Sequence, residues 1–445
     1  MPNPMRSLLI ALVLLATCGS SAFASGFAII EQSVSGLGNS FAGGAAAAED
    51  ASTIFYNPAG MTLLEGQQAI AGIHYIMPST KFSSSQATNA FGGSLGSNDG
   101  GQGGISKAVP NFYYSNRISE KLTVGLGIMA PFGLATKYDK DWVGRYHAVE
   151  SDVMTININP AIAIKVTDKL SLGLGVSAQY IDATLSSMVD GGLVYYSQTG
   201  DASYVSNTNF DILAENTGDD WGYGFNLGIL YELSDRTRIG AAYRSEIKHQ
   251  LEGQLKAKDF PAALAAFSSA FATQDITADL TLPATASFSV YHQLTDKLAI
   301  MGDITWTGWS SFDKLTIDFE ETFAGATSST TTENWDDTWR YSLGMSYQAT
   351  EEWILRTGVA FDETPISDQY RTPRIPGEDR IWLSFGAGYH FSDRLSMDAA
   401  YAHLFVADSK MEKYATTPED TSRGTVVGEY ENSVDIISLQ VSYNF

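Results

Sequence analysis

The sequence predicts an all-β chain closed into an antiparallel barrel of fourteen strands, with its first mature residues folded inside the lumen. Three observations predict it: a turn motif that recurs along the chain, two-residue alternation between those turns, and an N-terminal stretch that fits neither pattern.

The chain opens on a segment that must be set aside. Leu8 to Ala16 is a short apolar run behind Arg6, followed by the small-residue pattern Ala22-Phe23-Ala24, which reads as a secretory leader over residues 1–24. The run is shorter than the roughly 20 apolar residues a membrane helix needs, and no later stretch comes closer. Cys18, the single cysteine, falls inside this leader, so the exported chain is expected to carry no thiol, disulfide or thiolate metal site. The net charge of −23 argues against nucleic acid as a partner. Few charged residues (17%) combined with 22 Tyr and 22 Phe suit strands with one face in lipid and one toward a lumen, in the outer membrane of a Gram-negative bacterium.

Six segments share one design: "ISEKLTVGLG" from Ile118, "VTDKLSLGLG" from Val166, "LSDRTRIGAA" from Leu233, "LTDKLAIMGD" from Leu294, "ATEEWILRTG" from Ala349 and "FSDRLSMDAA" from Phe391. Each places Ser or Thr before Asp or Glu, whose side chains bond their own backbone in tight turns. Roughly 40 to 65 residues separate them, enough for a rising strand, a long loop and a returning strand. Six turns on one edge with both termini beside them give fourteen strands. Within the strands, Ile156, Ile158, Ile162, Ile164 and Val166 alternate with polar or small residues. Trp221, Tyr223, Phe225, Leu227, Ile229, Tyr231 and Leu233 do the same, and so do Leu439, Val441, Tyr443 and Phe445 at the end. A last strand closing on an aromatic residue is usual for substrates of the outer-membrane barrel assembly machinery. Outer-membrane lipid and lipopolysaccharide are the other expected partners.

A lumen inside fourteen strands is too wide for strand side chains to fill. Residues 25–66 lack strand alternation and are rich in Ala and Gly, so they read as a hatch, with a short helix around Ala45 to Glu49 and the barrel over 67–445. In Asn57-Pro58-Ala59, proline fixes its own φ and holds Asn57 extended, giving a rigid reversal just before the first strand at about Gln67. In "DFPAALAAFSSAFATQD", Phe260, Leu264, Phe267 and Phe271 recur at helical spacing inside an expected external loop, an apolar stripe suited to capturing a hydrophobic ligand. Alternation turns Arg244, Glu246, Lys248, Arg340, Arg356 and Asp398 inward, to pair with one another or with Glu31, Glu49 or Asp50 of the hatch. The six histidines are scattered, and no catalytic, cofactor or metal spacing is recognisable, so no enzyme chemistry, cofactor or metal is expected.

The segments "SGLGNSFAGGAAAAEDAST", "NPAGM", "WGYGFNLGILYEL", "AAYRSEIKHQLEG", "WRYSLGMSYQATEEWILRTGVAFDETPI" and "IPGEDRIWLSFGAGYHF" resemble the FadL/TodX family of outer-membrane transporters for hydrophobic compounds. The resemblance covers essentially the whole mature chain. It implies transport of long-chain fatty acids or similar compounds, with uptake of aromatic hydrocarbons as the second reading. It implies a ligand pocket holding Ser25, Gly26 and Phe27, with Phe27 occluding it, and a hatch that shifts to open it. It further implies a kinked third strand that opens a lateral gap, for which Gly125, Gly127 and Pro131 are the candidates. Lys314 is the basic residue expected to meet a carboxylate; a second, expected on the fifth strand, is replaced by Ser186 and Ser187.

Overall fold

The computed structural model describes residues 26–445; the expected leader, Cys18 and Ser25 lie outside the described residues. Fourteen antiparallel strands follow one another around the barrel. They are β1 (Gln67–Thr88), β2 (Lys107–Ser119), β3 (Leu122–Met129 and Gly133–Lys137), β4 (Glu150–Lys165), β5 (Leu170–Asp190), β6 (Asp211–Ser234) and β7 (Thr237–Arg244 and Ile247–Lys258). The second half comprises β8 (Gln274–Leu282 and Thr285–Gln293), β9 (Leu298–Thr307 and Lys314–Phe323), β10 (Ala326–Thr332 and Thr338–Gln348) and β11 (Trp353–Asp362). It ends with β12 (Arg380–His390), β13 (Leu395–Val406 and Ser409–Lys413) and β14 (Thr425–Asn444). Closure comes from β14 pairing with β1, from Gln68↔Asn444 to Thr88↔Thr425, which joins the first and last strands into one closed sheet.

All six turn motifs join strands where expected, from the β2–β3 turn to the β12–β13 turn. The alternation also holds: Ile156, Ile158, Ile162 and Ile164 are exposed on the outer face, while Thr155, Asn157, Asn159 and Ala163 between them are buried. Trp221, Tyr223, Phe225 and Leu227 of β6, and Leu439, Val441, Tyr443 and Phe445 of β14, likewise face outward. No helix among the described residues is long and apolar enough to cross a membrane.

Six strands are interrupted, which alternation alone did not show. In β7 the interruption is a bulge: Asn226 of β6 faces Arg244, but Asp219 faces Glu252, so seven steps on β6 match eight on β7. One extra residue exchanges the two faces of everything above it. Arg244 therefore points inward as expected, whereas Glu246 and Lys248 point outward, exposed and paired with each other at 3.3 Å. Ile247 and His249 take the inner face in their place.

Residues 26–66 pack against the inner face of the barrel through three short helices, α1 (Val34–Gly38), α2 (Gly44–Ala47) and α3 (Thr53–Tyr56), and a 3₁₀ turn over Pro58–Leu63. Only the second was expected. Ser40 and Phe41 adopt φ of 55° and 57°, a left-handed pair that bends the chain after α1 and is costly for non-glycine residues. The wall accommodates this path with glycines. A Cβ on Gly358 would lie 2.2 Å from the Asn39 carbonyl, and one on Gly240 would lie 1.8 Å from the Ala45 carbonyl oxygen.

Gly358→Val should therefore leave the strand ladder intact and displace the hatch. The expected outcome is a barrel that still migrates as a compact species on an unheated gel while protease cuts within residues 34–60; a hatch as resistant as in the parent chain would refute this packing account.

Candidate functional site

The hatch is held by the barrel wall chiefly through arginines. Arg238 donates from Nε and Nη2 to the Ala46 and Ala47 carbonyls (3.1 and 2.7 Å) at the end of α2. Arg244 donates to the Phe55 carbonyl at the end of α3 (3.0 Å), with its guanidinium over the Phe55 ring at 4.6 Å. Arg340 donates to the Ser40 carbonyl just after α1 (3.0 Å). Arg238 and Arg244 thus meet carbonyls that a helix end leaves without an intrahelical partner, and Arg340 meets one in the left-handed bend that follows α1. Arg356 bridges Glu49 of the hatch (3.1 Å) and Asp398 of β13 (2.7 Å). Asp50 accepts from Ser35 (2.7 Å) and from Gln440 of β14 (3.0 Å).

Asn57 is the fixed joint between hatch and wall. Its backbone is extended (φ −158°, ψ 102°) ahead of Pro58, and its Oδ1 accepts from Ala59 N–H at 3.0 Å. Its Nδ2 donates to Ala45 of the hatch (2.6 Å) and to the Ile229 carbonyl of β6 (3.0 Å).

The start of the hatch fills the interruption of β3. Residues Ala130 to Phe132 leave the ladder; Thr155 Oγ1 of β4 serves the N–H and carbonyl of Phe132 (3.0 and 2.8 Å), and the hatch serves the other two carbonyls. Ile29 N–H donates to the Pro131 carbonyl (2.8 Å), Gly133 N–H to the Phe27 carbonyl (3.0 Å) and the Gln32 side chain to the Ala130 carbonyl (2.8 Å). Phe27 is thereby set into a box of rings, with centroids at 5.0 Å (Trp309), 5.8 Å (Phe312), 5.9 Å (Trp335) and 6.0 Å (Phe132).

Beyond this interruption the wall has a window. β2 pairs with β3 only from Phe112↔Ile128 downward, so residues 107–111 have no strand partner on that side, and Pro110 among them has no N–H to offer. Above, the Ile105 N–H reaches the Ala135 carbonyl at 3.3 Å and closes the frame. A mostly apolar cavity of ≈ 490 Å³ occupies this region. It is lined both by Phe27 and Phe132 of the interior and by Ile128, Met154 and Ile156, which are exposed on the outer face.

Two smaller cavities adjoin it. One of ≈ 90 Å³ lies on the other side of Phe27, between Phe312, Leu315, Ile317, Glu333 and Arg374. The other, of ≈ 120 Å³, lies beside the hatch and is lined in part by Glu31, Arg244 and Arg340. Arg374 stands in the loop between β11 and β12, where it donates to Ser151 Oγ (2.9 Å) and the Glu150 carbonyl (3.2 Å). It forms no ion pair among the described residues. Burial pushes its guanidinium down to about 10, and burial pushes the Glu333 carboxyl up to about 7.

The barrel and its sequence match known proteins. The model of a family described as outer membrane protein transport protein (OMPP1/FadL/TodX) covers residues 15–445. The chain belongs to this family. It is similar to a putative outer membrane protein of Neisseria meningitidis, 34% identical over 451 residues and 97% of each chain. It is also similar to the long-chain fatty acid transport protein of Escherichia coli K12, 31% identical over 414 residues that cover 88% of this chain and 90% of that one. A Pseudomonas aeruginosa FadL homologue of known structure is 29% identical, with a TM-score of 0.86, and covers 95% of this chain and 100% of that one. Membership in the FadL/TodX family makes the protein an outer-membrane transporter of hydrophobic compounds.

Of the site residues expected from the sequence, some line the cavities and others lie apart from them. Gly26 and Phe27 lie in the ring box, where a Cβ on Gly26 would meet Trp309 at 2.6 Å. Pro131 sits in the interruption of β3, but Gly125 and Gly127 lie within its regular part, paired on both sides. Gly125 instead makes room for the hatch, since a Cβ there would lie 2.6 Å from Ile54 and Met61. Lys314 is exposed, because the next residue, Leu315, takes the inward position on the cavity. The external segment is a 3₁₀ helix over Ala262–Phe271 in which Leu264 and Phe271 are buried in a loop core with Phe323, and Phe260 and Phe267 are half-buried against the same core. Arg374, Glu333 and Lys107 were not anticipated.

Replacing Asn57 by Ala leaves the Ala45 carbonyl without its side-chain donor inside the barrel, at a cost of about 2 kcal/mol. Amides of residues 44–60 should then exchange faster by about thirtyfold and uptake should fall, while barrel amides keep their protection. Normal uptake by an Asn57→Ala barrel would reduce the joint to a fold-level turn.

Proposed function

We propose that the protein carries long-chain fatty acids or closely similar amphiphiles from the cell exterior into the outer leaflet, through the window beside β3. The observation that supports this most is the ≈ 490 Å³ apolar cavity, whose lining runs from Phe27 to side chains exposed on the lipid face. A water-filled pore gives a long acyl chain nothing, whereas an apolar path ending in lipid keeps the chain out of water throughout.

On this reading a ligand first meets the external loops, where Phe260 and Phe267 are the accessible part of the apolar stripe. It then enters the small cavity beside Arg374. Arg374 takes the part expected of Lys314, because a carboxylate leaving water needs a cation and this guanidinium lines the cavity without an ion pair among the described residues. The tail displaces Phe27 from its ring box, which joins the two cavities that Phe27 borders. Moving Phe27 also withdraws the segment that hydrogen-bonds the β3 interruption. The exposed aromatic end at Phe445 supports insertion by the barrel assembly machinery, with lipid and lipopolysaccharide covering the outer face.

A strain lacking the protein should lose oleate uptake at limiting concentration; undiminished uptake would reject the fatty-acid reading. If toluene uptake alone is lost, the hydrocarbon reading replaces it. Arg374→Met should weaken oleate binding by about tenfold and leave toluene unaffected.

Glu333 adds a pH dependence. It is neutral below about 7 and negative above, so an alkyl sulfonate, charged at every pH used, should bind less tightly as pH rises through that value. Glu333→Gln should flatten the profile.

A further inference from the structure

The window is crossed by one ion pair. Lys107, at the head of β2, places its ammonium 2.5 Å from an Asp152 carboxylate oxygen on β4. The two strands are not neighbours. Asp152 lies opposite Ala135 on the outer piece of β3, and that piece has no ladder to β2. The contact therefore spans the opening itself. Lys137–Glu150, at 2.9 Å nearby, joins residues already opposite each other in the β3–β4 ladder and spans nothing.

Three further observations bear on this pair. Both residues line the ≈ 490 Å³ cavity, so a departing ligand passes between them. Both keep access to water, with side chains 47% and 34% exposed, so the carboxylate of Asp152 can be exchanged for another anion. On β4 the outward positions below Asp152 are Met154, Ile156 and Ile158, all exposed and apolar. The pair thus lies where the apolar band ends, the level an amphiphile's head reaches when its tail enters lipid. Asp182, which faces Met154 on the next strand, and Asp219, which faces Asp182 in turn, make that rim acidic. Lys107 is the cation opposed to it.

Resting on the wall-exit reading above, we propose that Lys107 and Asp152 form a latch across the window and that Lys107 selects anionic ligands there. The ligand's head group takes the place of the Asp152 carboxylate on the ammonium, the two rims part, and the tail passes into the leaflet. An uncharged hydrocarbon cannot make this exchange and gains nothing from Lys107.

The test uses the full mature chain in vesicles, with oleate and toluene as paired probes. Lys107→Met should lower the oleate rate by about fivefold, the most an exposed pair is worth, without lowering the toluene rate. The exchange K107D/D152K rebuilds the pair in reverse and should keep most of the oleate rate. With Cys18 in the expected leader as the only cysteine, K107C/D152C joined by a short bis-methanethiosulfonate, each thiol displacing one methanesulfinate, should block both probes, and reduction should restore them. An unchanged oleate-to-toluene ratio in Lys107→Met, in a barrel that folds normally, overturns the latch while leaving the wall route in place. Free passage of both probes through the cross-linked protein overturns the wall route, and the latch with it.

Discussion

Inside a closed barrel, a backbone carbonyl or N–H that finds no partner costs as much as it would in a protein core. The hatch multiplies such groups, because it is built from helices of four or five residues that have ends but almost no middle. Arg238 and Arg244 of β7 supply donors to the ends of two of these helices, and Arg340 of β10 supplies one to the bend after the first. A charged donor suits this better than a neutral one, since hydrogen bonds to charged groups are worth roughly 1.5–3 kcal/mol. The glycines facing the hatch serve the same constraint, by letting backbone approach backbone closely enough for these bonds to form.

The same requirement couples hatch to window. Ala130 to Phe132 of β3 leave the sheet; the hatch residues Gln32 and Ile29 meet the Ala130 and Pro131 carbonyls, and Thr155 of β4 meets both backbone groups of Phe132. The hatch segment and the interruption thus share hydrogen bonds, and displacing one leaves the Ala130 and Pro131 carbonyls without these partners. A ligand that competes with Phe27 for the rings of Trp309, Phe312 and Trp335 therefore acts on the wall as well as on the pocket. Burying a Phe side chain is worth about 1.5–3 kcal/mol, and a bound acyl chain can return that amount to the same rings. The exchange then leaves the total little changed, the condition under which a two-state element shifts easily between its forms.

The strand count and barrel closure were legible because turn chemistry is local: Ser or Thr before Asp or Glu makes the same turn wherever it occurs. Side-chain direction was legible only where the strand was regular. Within the apolar band a charged residue must point inward, and Arg340, Arg356 and Asp398 do. Above the band both faces meet water, so the charges of Glu246 and Lys248 carried no such information, and a single bulge at Ser245 and Glu246 decided their direction. Arg374 was hidden for a different reason. It belongs to a loop with no periodicity, and its one local sign is its setting in Pro373-Arg374-Ile375-Pro376, where two prolines hold an arginine on a rigid path into the barrel mouth. The arginine caps of the hatch could not be read at all, because they join residues about 190 to 300 positions apart.

A gap in a barrel wall could be closed by completing the strand ladder, and the chain does not do so. Five more residues of β2 pairing with β3 would add several hydrogen bonds worth about 0.5–1.5 kcal/mol each. Opening them together would cost enough to slow every transport event. An exposed ion pair contributes at most about 1 kcal/mol, and it breaks without leaving buried polar groups unmet, since both partners return to water. Lys107 and Asp152 therefore hold the rims together weakly enough to part under a ligand and strongly enough to favour closure without one. Pro110 makes the arrangement one-sided: with no N–H to offer on the unpaired edge, it removes a bond from any ladder that would zip shut across the window.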